Sequence, residues 1–506
     1  MSSRSTRTRR RTQTIVGLAA VAGLLGATPA MSAIPGSTAV QAATASTVSV
    51  PSNVTLLKTL TSKLGVHSWY QQTLGGYPVV GGLYAQHTTT VGADSGQTTV
   101  WDGRVPAGAL VSGDATVSSA AAIAAAVAYT KGTALTYVAP SLWVLPGAQS
   151  HLVWSVSSVT SAAAGDSVTA AHLTYVDAQT GKVLKDVIES QMDTAPDAKY
   201  VTGKAKTFDP NPVVKLQDED LTDQNDSNAA VPAKGYSTRD LGHLDTSHTL
   251  VGEWAKIVND DIASSKSNKY MYKRADDRFE QVMDYYALDT EESYYQELGF
   301  KNVNNEAQKI EADAMADDNS WYIPSQDLIQ TGTGGVDDAE DPEVVWHEDG
   351  HATQDAQVPG WGASEEAGAM GEGYGDYIAV TMSQKYAKET KLTPYSCVMD
   401  WDSTSYTAGP QHCLRTTVTD KMYPEDLDGE VHDDGEIWSH ALWNMNLALG
   451  RDKATTAIVE ATFSMNPSIN MPDAAAQIVK TTKDLYGASA SAKAKAAFVD
   501  RGILKK

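Results

Sequence analysis

The segment Glu343-Val344-Val345-Trp346-His347-Glu348-Asp349-Gly350-His351-Ala352 sets two histidines four residues apart, with an acid directly after the first. On a helix those positions share a face, so His347 and His351 can direct two imidazoles at one metal ion. Glu348 projects beside them and can take a proton from a water on that metal. Zinc suits two imidazoles, and a catalytic zinc needs a third protein ligand while one position stays open for water. Gly350 argues for the plainer alternative, a surface helix with two solvated histidines, because glycine costs a helix interior roughly 1 kcal/mol.

The third ligand is sought in Gly368-Ala369-Met370-Gly371-Glu372-Gly373-Tyr374-Gly375-Asp376-Tyr377-Ile378. Glu372 and Asp376 are again four apart and share a helix face. Glu372 can complete the metal site, and Asp376 can accept the second ring N–H of a ligand histidine and so fix its tautomer. Glu365 and Glu366 are rivals for the ligand position, but neither has a carboxylate four residues on. Further along, Glu430-Val431-His432-Asp433-Asp434-Gly435-Glu436 offers His432 at a loop-to-helix junction. Hydrolysis of a peptide bond builds an oxyanion, and a donor facing the metal stabilises it. Asp428, Glu430 or Asp433 could orient His432, and His440 is the competing donor.

These side chains need rigid elements beneath them. Apolar periodicity predicts helices over Glu291–Leu298, Pro342–Gln354, Gly368–Ser383, Gly435–Leu449 and Met471–Tyr486. Residues 43–190 read differently: Ser, Thr, Val, Ala and Gly dominate, and short apolar runs are broken by turn signals. Pro78–Tyr84 and Gln97–Gly103 read as strands, His172–Leu184 as a hairpin and Ser118–Tyr129 as an Ala-rich helix. His67, His87, His151 and His172 are scattered singly there and are assigned structural roles.

Charge divides the chain at the same place. Of 506 residues, 39 are Lys or Arg and 62 are Asp or Glu, for a net charge of −23. Residues 43–190 hold six basic and seven acidic groups, whereas 191–506 hold 28 and 55. A boundary near 190 follows, and so strong an acidic excess argues against nucleic acid as a partner. Ahead of both parts, Arg4, Arg7, Arg9, Arg10 and Arg11 precede an apolar run from Ile15 to Leu25. Small-residue exits follow at Met31-Ser32-Ala33 and Val40-Gln41-Ala42, the pattern of a signal peptide over 1–42 and of a secreted, extracellular protein. The run is well short of a membrane span, which takes about 20 residues.

Taken together, the three chemical segments resemble the fungalysin-type zinc metallopeptidases, within the larger group that includes thermolysin. Gly65–Val79 is similar to the fungalysin/thermolysin propeptide motif, and Tyr175–Leu184 to the end of a PepSY-type propeptide module. The resemblance implies an α+β fold: an α+β propeptide at 43–190, then a two-lobed thermolysin-like peptidase domain at 191–506 with zinc in the cleft between its lobes. It implies His347, His351 and Glu372 as ligands of one catalytic Zn²⁺, Glu348 as general base, His432 as transition-state donor and Asp376 behind the ligands. It also implies a substrate-pairing edge strand at Asn319-Ser320-Trp321-Tyr322 and, at Arg415, an arginine that bonds a substrate carbonyl. Partners would be protein or peptide substrates and the chain's own propeptide, acting as inhibitor and folding aid on a monomer.

This sequence departs from the family's pattern in two places. Asp349 stands where a larger, often aromatic residue is usual, and could raise the pKa of the neighbouring base or face water. No tyrosine matches the one that assists the counterpart of His432. Those departures motivate a rival reading, a zinc-binding but catalytically silent secreted binding or regulatory protein. Cys397 and Cys413, sixteen positions apart in an exported chain, are expected to form a disulfide contributing about 3 kcal/mol. The acid-rich Val336–Asp341 is expected to make polar contacts or an N-cap before the zinc helix, and Ca²⁺ there is left open.

Overall fold

The computed structural model describes residues 48–92, 94–134, 139–160, 170–187, 200–304, 306–407 and 411–506. The expected signal segment, its arginines and both cleavage candidates lie outside the described residues. So do residues 188–199, where the expected boundary falls.

Residues 54–187 build one nine-stranded sheet. Its strands are β1 (Val54–Thr61), β2 (Gly65–Leu74), β3 (Tyr77–Thr89), β4 (Thr98–Gly103), β5 (Thr133–Ala134), β6 (Ser141–Leu145), β7 (His151–Thr160), β8 (Ala170–Asp177) and β9 (Val183–Val187). The order runs β1-β2-β3-β6-β7-β8-β9, with β4 added to β3 and β5 to β7. In β2, Gly65, His67 and Trp69 are buried while Val66, Ser68 and Tyr70 between them are not, the period-two pattern of a strand with one covered face. Gly75 and Gly76 turn the chain from β2 into β3 with φ of 61° and 88°, the left-handed conformation that a two-residue hairpin of this hand requires. Helix α1 (Ser119–Thr130), capped by Ser118, packs Ala122 and Ala126 on Val156 and Val176. The expected strands, hairpin and helix of this region are all present, within a few residues of their predicted ends.

From residue 201 onward three smaller sheets appear. β10 (Val201–Thr207) lies between β11 (Ser237–Leu244) and a short β13 (Lys269–Tyr270). β12 (Ala255–Ile257), β14 (Gln308–Met315), β16 (Leu328–Gly332) and β15 (Trp321–Ile323) form a four-stranded sheet in that order, which leaves β15 at an edge. β17 (Cys397–Val398) pairs with β18 (Arg415–Thr416). The helices are a short α2 (Pro212–Leu216), then α3 (Arg278–Glu297), α4 (Pro342–Gln357), α5 (Glu365–Tyr386), α6 (Val431–Leu449), α7 (Arg451–Thr462), α8 (Met471–Tyr486) and α9 (Ala488–Asp500). The sheets therefore concentrate before residue 333 and, apart from α3, the long helices after 341, with α4 packed against β15 and β16 as well as against α5.

Three of the predicted helices begin earlier than expected. α3 begins at Arg278 instead of Glu291, because its buried face carries Glu280, Asp284 and Asp289 as well as apolar side chains, which breaks the periodicity. α5 begins at Glu365, where Ser364 caps Ala367 N, and α6 begins at Val431, where the Glu430 side chain accepts from Asp433 N. α7 and α9, rich in Ala and Thr or in Ala and Lys, carried no expectation. Among the described residues no helix is long and apolar enough to cross a membrane.

The two regions are joined. Trp69 and Ala85 of the first sheet belong to the same buried cluster as Tyr294, Trp346, Ile378 and Phe463. The β1–β2 turn sits on α7: Glu460 accepts from Ser62 Oγ at 2.7 Å, Lys63 N at 2.9 Å and Leu64 N at 2.8 Å. His67 stacks on Phe463, with ring centroids 5.3 Å apart, and shares its Nδ1 with His87 Nδ1 at 3.0 Å. Lys58 reaches the carbonyl of Ala356 near the end of α4 at 2.5 Å.

Candidate active site

The N-terminus of α4 is fixed from several sides. Asp341 is the N-cap, its side chain accepting from Glu343 N at 3.1 Å, and Pro342 takes the first helical position, where no N–H is needed. The other oxygen of Asp341 accepts from Trp401 N and Asp402 N at 2.9 and 3.2 Å, tying the helix to the loop closed by the Cys397–Cys413 disulfide. The capping role expected of the acid-rich stretch is thus found at Asp341.

One turn further on, α4 meets α5 at very short range. A Cβ on Gly375 would lie 2.7 Å from His347 Nδ1, and one on Gly350 would lie 3.1 Å from Gly375 Cα. Gly373 and Gly435 likewise let α6 approach α5. The glycine that counted against a helix in the sequence is what lets the two helices close on each other.

Across that contact the donor atoms converge. Ligand atoms of His347, His351 and Glu372 lie within 4.8 Å of one another. His347 Nε2 is 3.1 Å from Glu372 Oε2, and His351 Nε2 is 3.5 Å from Glu372 Oε1. Two imidazole nitrogens and one carboxylate are a donor set that fits zinc, with room for a fourth, non-protein ligand. On its other nitrogen His347 donates Nδ1–H to Asp376 Oδ1 at 2.9 Å. Arg415 grips the same carboxylate with Nε at 2.8 Å and Nη2 at 2.7 Å. Burial would raise the pKa of Asp376, but the Arg415 guanidinium and the His347 bond outweigh it and hold the group well below the usual carboxylate range.

Glu348 is buried beside His347 on α4. His432 stands in the first turn of α6, with Nε2 3.3 Å from Glu372 Oε2 and Nδ1 2.7 Å from Glu430 Oε1. Of the three orienting acids considered, Glu430 is the one in contact, and it also caps α6. His440 is turned away, its Nδ1 engaged by the backbone of Thr419. Glu366 accepts from Met471 N at 2.8 Å, and Glu365 is exposed, so both rivals for the ligand position lie elsewhere.

Asn319 and Ser320 directly precede the edge strand β15, and Ser320 Oγ is turned inward to Asp338 Oδ2 at 2.5 Å. Two donors of Arg415 are committed to Asp376, a grip the sequence analysis did not anticipate. Asp349 does not face water. It is buried among Asn304, Asp327 and Glu291, and burial followed by the Asp327 charge pushes its pKa up to about 8. Cys397 and Cys413 are joined as expected.

A family model described as Fungalysin metallopeptidase (M36) matches residues 213–503, and one described as Peptidase propeptide and YPEB domain matches residues 116–187. The chain belongs to the fungalysin metallopeptidase family; it is a metallopeptidase with a propeptide domain ahead of its peptidase domain. Membership implies zinc as the metal. No curated protein matches the chain. Among solved structures, the precursor of protealysin, a metalloproteinase from Serratia proteamaculans, is similar with a TM-score of 0.37 and 14% identity, over 51% of this chain and 91% of that one. That similarity is too low to carry any argument about this chain.

Proposed function

We propose that the chain is a secreted zinc endopeptidase in which His347, His351 and Glu372 hold one catalytic zinc, residues 1–42 are a signal peptide, 43–190 the propeptide and 191–506 the peptidase. The observation that carries this reading is the convergence of those three ligand atoms within 4.8 Å, with Asp376 and Arg415 stacked behind them. When bound there, zinc supplies Lewis acidity to the attacking water and to the scissile carbonyl. Glu348 takes the proton from that water and passes it to the departing amine nitrogen. His432 donates from Nε2 to the oxygen on which negative charge develops. With Nδ1–H bonded to Glu430, Nε2 can donate only from the doubly protonated ring. Asp376 and Arg415 keep His347 in the tautomer that leaves Nε2 free for the metal. An extended protein substrate would add to the edge strand at Asn319, Ser320 and β15, and Arg415 can serve a substrate carbonyl only through the guanidinium N–H groups that Asp376 does not hold.

The test is cleavage of an unfolded protein by the purified chain freed of its propeptide, with and without 1,10-phenanthroline. Cleavage that stops with the chelator and returns with zinc is expected. Glu348→Gln should keep zinc and lose roughly a hundredfold or more of the rate. Full activity in that variant refutes the role of Glu348. Bound zinc without any turnover favours the silent binding protein.

A further inference from the structure

Asp318, Asp338 and Asp402 form a second convergence of ligand atoms, also within 4.8 Å of one another. They come from three separate segments. Asp318 lies just before the edge strand β15, Asp338 opens the turn that leads into α4, and Asp402 lies in the loop closed by the disulfide. Asp338 and Asp402 are 3% and 4% exposed. Among the described residues no lysine or arginine forms an ion pair with any of the three, and Arg415, which acts on Asp402 from further off, is engaged by Asp376. Donors are few: Ser320 Oγ and the backbone N–H of Gly332 serve Asp338, and Tyr406 Oη serves Asp402 Oδ2 at 2.5 Å. The other oxygen, Asp402 Oδ1, is fully enclosed and has no hydrogen-bond donor at all.

An unpaired carboxylate oxygen in so closed a place is costly, and three neighbouring carboxylates multiply the cost. A cation removes it. We propose that Asp318, Asp338 and Asp402 bind a calcium ion, at a site separate from the zinc centre. Calcium takes oxygen ligands at about 2.3–2.6 Å, so carboxylate oxygens separated by up to twice that distance can share one ion. Only oxygen donors are present, which suits calcium and not zinc. The low exposure of Asp338 and Asp402 favours a resident ion over the basic side chain of a passing peptide. The bound ion joins the segment ahead of the substrate-side edge strand to the turn that starts the zinc helix and to the disulfide loop.

The test uses the full chain carrying its zinc, freed of calcium and then titrated with CaCl₂ in a calorimeter, with terbium luminescence as a second probe. Asp402→Asn and Asp318→Asn should each bind one calcium fewer than the parent, or bind it at least tenfold more weakly, with zinc content unchanged. Asp318 is only half-buried, so its variant carries the test if Asp402→Asn does not fold. Absence of calcium binding in the parent overturns the proposal, as does a parent-like titration in both variants. A selective loss of cleavage after or before basic residues, without any change in calcium binding, overturns it in favour of a substrate subsite. Because the readout is metal content, an inactive zinc centre leaves the result interpretable.

Discussion

Arg415 and Asp376 are joined by two hydrogen bonds, and Asp376 in turn holds His347, so a residue that touches no ligand atom sets how one ligand is presented. Arg415→Ala should weaken zinc binding about 10- to 100-fold, measured by competition with a chromophoric chelator. Arg415→Lys, which offers a point charge without the planar fork, should recover only part of it. The convergence of His347, His351 and Glu372 was legible in the sequence, because i and i+4 spacing on a helix settles which side chains share a face. The grip of Arg415 was not. It joins residues 39 positions apart, and no local pattern records the approach of β18 to α5. The partner of His432 was narrowed to three acids and no further, since the choice of Glu430 depends on how the N-cap of α6 bends. Asp349 misled for the same reason: its neighbours Asn304 and Asp327 come from other segments.

At the scale of elements, the crossing of α4 and α5 depends on particular glycines. Gly371→Ala would place a methyl group no closer than 3.4 Å to its nearest neighbour, His351 Nδ1. It should keep zinc and gain up to about 1 kcal/mol from helix propensity. Gly375→Ala, on the same helix, would drive its methyl group to 2.7 Å from His347 Nδ1, in the buried face between the helices. It should lose about 1–3 kcal/mol and much of its zinc, read as a lower thermal midpoint and by elemental analysis. Equal behaviour of the two variants would rule out this account of the crossing. The Cys397–Cys413 loop supports the same region, because the Trp401 and Asp402 amides inside it hold Asp341 at the start of α4. Replacing both cysteines by alanine should cost about 3 kcal/mol in denaturant unfolding. Helices with an apolar stripe were legible in the sequence. The first half of α3, whose covered face is lined with carboxylates, was not.

For the whole molecule, the contact between the first sheet and the helices that follow contains a buried pair of histidines. Burial, and then the neighbouring ring, lowers the pKa of His67 to about 3, and burial lowers that of His87 to about 4. Folded-state values below the unfolded value of about 6.5 mean that acid favours the unfolded or separated forms, which take up protons the docked form excludes. Stability of the docked arrangement is therefore complete above about pH 6.5 and declines as pH falls towards 4. His67→Phe, which keeps a ring against Phe463, should flatten that decline in thermal melts recorded between pH 7 and 4. The turn at Ser62–Leu64 seated on Glu460 has a consequence of its own. While the backbone between residues 187 and 200 is intact, the turn meets α7 at an effective concentration near millimolar. A single cut in that backbone makes the same contact bimolecular. Its occupancy then depends on how far the two pieces are diluted, so a contact of micromolar affinity is closed before the cut and open after it, with no bond at the interface changed.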